Sequence, residues 1–208
     1  MAELLVAPHP VSLTEDCLKD AKLYGSRADS IKSWRKHTRI AELGVAAGWF
    51  TRQVLEVVQP ALFDAYDTFR LHEIPMLWGQ ESSKILENKT HLDYYQEKFK
   101  GHVEEGILRT FKGDSSTELS KRENEFYDLI YIDGNHSYEG VKRDTAAALK
   151  TIRTDGMLVF NDYVFYDKTG NMFGVVPVVN DLCVNHGWKV VYLALQQEMF
   201  CDIAITRI

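Results

Sequence analysis

The 208-residue sequence predicts an α/β fold: a three-layer sandwich on a mostly parallel, seven-stranded sheet that ends in an antiparallel hairpin strand. Three observations predict it. Residues 39–51, R-I-A-E-L-G-V-A-A-G-W-F-T, read as a buried strand, a glycine turn and a helix start. From residue 106 onward, short apolar runs alternate with helical stretches, as strands joined by crossover helices do. The last two apolar runs, W-K-V-V-Y-L-A-L and M-F-C-D-I-A-I-T-R-I, are separated only by Gln196, Gln197 and Glu198, a connector that can only make a hairpin.

The length suits one domain over residues 1–208, large enough to bury a core. The net charge of -6 argues against a general nucleic-acid binder, which needs clustered cations to neutralise phosphates. The compact basic group Lys32, Arg35, Lys36 and Arg39 reads as a solvated face. Cys17, Cys183 and Cys201 are odd in number and widely spaced, which fits a reducing, cytoplasmic compartment. The opening M-A-E-L-L-V-A-P-H-P lacks the basic start and long apolar core of a signal peptide, and no run reaches membrane-spanning length. No membrane partner is expected, and self-association into a homo-oligomer is left open.

Taken in order, residues 1–36 form an N-terminal helical extension. Its 14–37 stretch reads as one or two helices at the sheet edge, started by Thr14, Glu15 and Asp16. The first core helix, 50–58, is stopped by Pro60, and the second strand is A-L-F-D-A-Y-D at 61–67. Residues 68–100 are too long for a simple connection and read as a lid-like insertion, with a helix at 91–99 and the aromatics Trp78, Tyr94 and Tyr95. Strands follow at 106–112 and 127–133, then a helix at 137–152, a strand at 156–163 and a helix at 175–185 capped by Gly187.

In an open parallel sheet, ligands gather at the carboxyl ends of the strands. Those ends are acidic here: Glu42 and Gly44, Asp67, Asp114, Asp133 with His136, and Asn161 with Asp162. Gly44 and Gly48 let the turn approach a ligand closely, but the spacing is E-x-G-x-x-x-G and not the dinucleotide G-x-G-x-x-G. A pyrophosphate would sit badly beside Glu42, whereas an ammonium or sulfonium group would suit it. Asp67 is placed to accept from two vicinal ribose hydroxyls, since one carboxylate offers two oxygens. Asp64 would sit mid-strand and is the weaker candidate for that task.

The runs Y-I-D-G-N-H-S-Y-E-G-V-K-R-D at 131–144, G-M-L-V-F-N-D-Y at 156–163 and F-G-V-V-P-V-V-N-D-L at 173–182 make the chain resemble a known group. This is the class I methyltransferases with a Rossmann-like fold, in the subgroup called methyltransferase domain 24. The resemblance covers roughly residues 37–208. It implies S-adenosylmethionine as methyl donor, a ligand that carries both an ammonium and a sulfonium group. It also implies kinship with O-methyltransferases of the catechol, caffeoyl-coenzyme A and antibiotic-tailoring kinds, and so a small-molecule hydroxyl acceptor.

On this resemblance Glu42, Gly44, Gly48, Asp67, Asp114 and Asp133 surround the cofactor, with Asp114 near the adenine amino group. The resemblance further implies Mg²⁺, or another divalent cation, held by Asp133, Asn161 and Asp162. Asn161 stands where many members carry an acid, which keeps a carbonyl oxygen and removes a charge. Asp133 would then act in catalysis through the metal, and His136 is the candidate base for the acceptor hydroxyl. A non-catalytic binding module and a nicotinamide oxidoreductase are the alternatives. Glu42 and the terminal hairpin disfavour the oxidoreductase.

Overall fold

The computed structural model describes residues 7–167, 169–196 and 199–208. The chain opens with α1 (Glu15–Leu18), β1 (Lys22–Tyr24) and α2 (Arg27–Ile31), then β2 (Arg39–Leu43), α3 (Trp49–Val57) and β3 (Leu62–Asp67). The insertion holds a 3-10 turn (Leu71–Glu73), a small hairpin of β4 (Met76–Leu77) and β5 (Gln80–Glu81), α4 (Ser82–Ile85) and α5 (His91–Lys98). After α6 (Lys100–Glu104) come β6 (Leu108–Lys112), α7 (Ser115–Leu119), β7 (Tyr127–Ile132) and α8 (Tyr138–Thr151). The chain closes with β8 (Ile152–Phe160), α9 (Val175–Asn185), β9 (Trp188–Ala194) and β10 (Asp202–Arg207).

The main sheet runs β1-β9-β10-β8-β7-β2-β3-β6. Every neighbouring pair is parallel except those of β10, which is antiparallel to both β9 and β8. The predicted hairpin therefore forms, although Gln197 and Glu198 of its connector lie outside the described residues. The sheet has eight strands and not seven. The extra one is β1, within the stretch read as helical. It pairs Lys22, Leu23 and Tyr24 with Tyr192, Leu193 and Ala194, covering a β9 edge whose amides and carbonyls would otherwise lack strand partners. Three residues carry no readable period, so only the tertiary pairing defines it.

β8 also starts four residues earlier than the sequence suggests. Ile152 leaves α8 directly and pairs with Tyr127, and the register then shifts before Leu129 meets Met157. Successive residues of the central strands alternate between two cores, which is what makes three layers. Leu43, Ile130 and Ile132 pack with Val141, Ala148 and Val179 beneath α8 and α9, while Ile40, Leu129 and Tyr131 pack with Val54, Phe69 and Tyr95 beneath α3 and α5.

The chain runs outward from β2 through β3 to β6, then crosses to β7 on the other side of β2. The strand order thus reverses between β2 and β7, and a crevice opens beyond their carboxyl ends.

Asp64 is fully buried in β3, away from that crevice. Arg109 grips it with two bonds of 2.7 Å each, Arg122 lies 3.3 Å away, and the Tyr127 hydroxyl donates to it. Removing the carboxylate strands two guanidinium groups and a phenol. Asp64→Ala is expected to cost about 3 kcal/mol of folding stability. Denaturant unfolding measures this, and a midpoint equal to that of the parent would show that Asp64 anchors nothing.

Candidate active site

The glycine turn is built by backbone bonds that continue past the strand ends. Gly44 N donates to Tyr66 O at 2.8 Å and Asp133 N to Leu43 O at 2.8 Å, which draws the turn against the start of the next loop. Gly44 has φ +85°, and a Cβ there would lie 2.2 Å from the Asp133 carbonyl oxygen, so no other residue fits. Gly48, at φ +74°, caps α3 against the Phe99 ring. Between them Val45 N donates to Asp67 Oδ2 at 2.9 Å, and Ala46 takes a left-handed φ of 45°.

The buried His91 holds that strained turn in place. Its Nε2 donates to Ala46 O at 2.6 Å and its Nδ1 accepts from Leu71 N at 3.5 Å, which ties the turn to the insertion. Burial lowers its pKa and keeps it neutral, as this bonding pattern requires. Sequence spacing gave no sign of this role, because a His that bonds two backbone groups needs no partner at a fixed interval.

A cavity of about 380 Å³ opens above the turn, lined by Gly44, Ala46, Asp67, Asp114, Asp133 and Asp144 among others. Asp67 Oδ1 also accepts from Phe69 N at 2.7 Å, so the carboxylate is fixed by one amide on each oxygen and keeps lone pairs toward the cavity. Asp114 caps α7. It accepts from Thr117 N, Ser116 Oγ and Thr117 Oγ1, all on Oδ1, and these bonds lower its pKa and leave Oδ2 for a ligand. Donor-rich ligand parts such as a ribose diol and an adenine amino group suit these two acids.

Glu42 does not line this cavity. The strand alternation turns it under α3, where it is 1% exposed, and Thr51 Oγ1, itself 2.9 Å from the Tyr95 hydroxyl, donates to its Oε2 at 2.6 Å. Burial raises its pKa well above the usual carboxylate range. It supports the turn from below and does not face a ligand cation.

The remaining predicted residues meet at the Asp133 end. His136 Nε2 lies 3.6 Å from Asp133 Oδ1 and 3.6 Å from Asp162 Oδ2, is buried, and has no hydrogen-bond partner among the described residues. Its ring stacks on Phe173 at 4.7 Å, and a backbone hydrogen bond with Gly134 occupies its other side. Burial and the Asp162 charge push Asp133 up to about 8, against a hydrogen bond from Asn161. Burial also raises Asp162 and lowers His136.

Asn161 Nδ2 donates to Asp133 Oδ1 at 2.7 Å, and its Oδ1 accepts from an Arg27 guanidinium nitrogen at 2.6 Å. The oxygen expected to bind Mg²⁺ therefore faces away from Asp133. Among the described residues no three His, Cys, Asp or Glu side chains are arranged to hold a metal ion. The ligand set Asp133, Asn161 and Asp162 does not fit the ion in this arrangement. Arg27 lies in the stretch read as an edge extension and was missed as a site residue for that reason.

Residues 41–163 match the profile of the family described as Methyltransferase domain. The match spans more than half of the chain, which belongs to this family and to the class of S-adenosylmethionine-dependent methyltransferases. None of the curated proteins matches the sequence. Among solved structures, one protein from Corynebacterium glutamicum has a TM-score of 0.59 at 16% identity, covering 95% of this chain and 83% of its own. An O-methyltransferase family protein from Burkholderia thailandensis has a TM-score of 0.57 at 13% identity over 86% of this chain and 55% of its own. The SAH-bound Podospora anserina methyltransferase PaMTH1 reaches 0.51 at 15% identity, covering 82% and 72%. At such identities the likeness is one of fold.

Asp144 of α8 gives the cavity a pH signature. It is buried, accepts from Ser115 Oγ at 2.6 Å, and burial raises it to about 6. An unfolded aspartate titrates near 3.9, so the folded state binds this proton more tightly and loses stability as pH rises from about 4 to about 6. Asp144→Asn keeps an acceptor for Ser115 and removes that loss, which amounts to about 3 kcal/mol. The variant should gain little at pH 4 and the full amount at pH 8 in denaturant unfolding. An equal gain at both pH values would contradict the assignment.

Proposed function

We propose that the protein transfers the methyl group of S-adenosylmethionine to a hydroxyl oxygen of a small molecule, with His136 as the base. The observation that carries this reading is the bare, buried Nε2 of His136 between the carboxyl groups of Asp133 and Asp162. A donated proton on Nδ1 toward Gly134 leaves Nε2 as the acceptor nitrogen. An aliphatic or phenolic hydroxyl is a weak nucleophile until its proton is taken, so a base in this position answers the need of O-methylation.

When bound, the cofactor supplies an electrophilic methyl group on sulfur. Asp67 and Asp114 hold its polar groups and fix it in the cavity, which turns the encounter into an oriented one. His136 Nε2 accepts the hydroxyl proton as the new carbon–oxygen bond forms and the carbon–sulfur bond breaks. Asp162, with Oδ2 3.6 Å from Nε2, stabilises the imidazolium that results. No step passes through a divalent ion.

The insertion frames the acceptor side. Its hairpin brings Trp78 onto Trp49 of α3 with ring centroids 4.9 Å apart, and both rings are more than half exposed. An exposed aromatic pair beside the glycine turn suits an acceptor with apolar surface.

Two variants test the reading. In calorimetry with S-adenosylhomocysteine, Asp67→Ala should weaken binding by about 1.5–3 kcal/mol per lost charge-assisted hydrogen bond. His136→Gln should bind it as the parent does. With labelled S-adenosylmethionine and a metabolite extract as acceptor source, His136→Gln should lower methyl transfer about 100-fold or more. Undiminished transfer by His136→Gln would remove the base role, and undiminished affinity in Asp67→Ala would remove Asp67 from the cofactor site.

A further inference from the structure

Asn161 is an amide held between two groups of opposite demand. A guanidinium only donates, so the side facing Arg27 must be the oxygen, and this leaves the NH₂ to face and donate to Asp133. Flipping the amide would set N–H against N–H on the Arg27 side. The orientation is therefore chemically forced while Arg27 stays where it is.

Arg27 is fixed on every side. Its Nε donates to Asp202 Oδ2 at 2.7 Å, and the nitrogen that reaches Asn161 also reaches Asp202 Oδ1 at 3.0 Å. Asp202 is itself buried and accepts from Gln196 Nε2 at 2.8 Å. The guanidinium carbon lies 5.5 Å from the Phe50 ring centroid and 5.7 Å from that of Tyr131, within cation–π range. The residue is delivered by the N-terminal extension. β1 pairs onto β9, Ser26 caps α2, and Arg27 is the first residue of that helix.

We infer that Arg27 is the built-in cation of this site, a positioning residue that occupies the Asn161 oxygen and takes the place of a divalent metal. This rests on reading the Asp133 end of the cavity as the reaction centre, but the placement of the cation stands on its own geometry. Acting through Asn161, Arg27 holds Asp133 in register with His136. Methyl transfer by this chain is then independent of metal, and the extension is part of the active site.

The test uses Mn²⁺ as probe and needs no acceptor. Electron paramagnetic resonance of the full chain with Mn²⁺ should show no stoichiometric binding in the parent. Arg27→Met frees the Asn161 oxygen and should bind Mn²⁺ at least about tenfold more tightly, and Asp133→Asn added to it should abolish the gain. A folded Arg27→Met that gains no affinity, or a parent that binds one Mn²⁺ through Asp133, would overturn the proposal. If Arg27→Met fails to fold, the parent decides. The Nε–H resonance of Arg27 in nitrogen-15 spectra should stay unbroadened at millimolar Mn²⁺, and its selective broadening would place a metal at Asn161. Absence of methyl transfer to any extract component would count against the O-methylation reading alone, since neither Mn²⁺ measurement depends on turnover.

Discussion

The site depends on one close approach, that of the Gly44 backbone to the Asp133 carbonyl. Two strand-end hydrogen bonds, Gly44 N to Tyr66 O and Asp133 N to Leu43 O, pull β2, β3 and β7 together at their carboxyl ends. Only a residue without Cβ permits the contact, and only a left-handed φ turns the chain away afterwards. The same approach sets the cavity floor, aims the Val45 amide at Asp67, and brings Asp133 beside the loop that carries His136. A shift of the turn would move acids on two strands at once.

Several helpers hold that approach from behind. His91 ties Ala46 to the insertion, Thr51 and Glu42 fill the space under α3, and Phe99 packs behind Gly48. The insertion is thus joined to the glycine turn through a buried side chain, and its Trp78 packs on Trp49 at the start of α3. Elements distant in sequence share one mechanical unit.

The alternation of strands and helices, the glycine turn and the terminal hairpin were legible because each has a local signature of period, turn residue or connector length. β1 was not, since three residues gain a strand identity only by pairing with β9. Among the acids, Asp67, Asp114 and Asp133 reach the cavity as strand-end position suggests. Glu42 follows Ile40 by two residues, and the period of two in a strand puts both side chains on the α3 face. The reading of Asn161 as a metal ligand rested on the family resemblance and its strand-end position. What decides its orientation is Arg27, 134 residues away, and no spacing rule links the two.

On the proposed function, the cavity over the Gly44 turn holds the cofactor, with Asp67 and Asp114 as its polar anchors. An experimental structure of the chain with S-adenosylhomocysteine measures this directly. The ribose hydroxyls should lie within hydrogen-bond distance of Asp67, the adenine near Asp114, and the sulfur at the Asp133 end facing His136. Cofactor bound elsewhere, or in this cavity with its ribose turned away from Asp67, would remove the Gly44 cavity and Asp67 from cofactor binding.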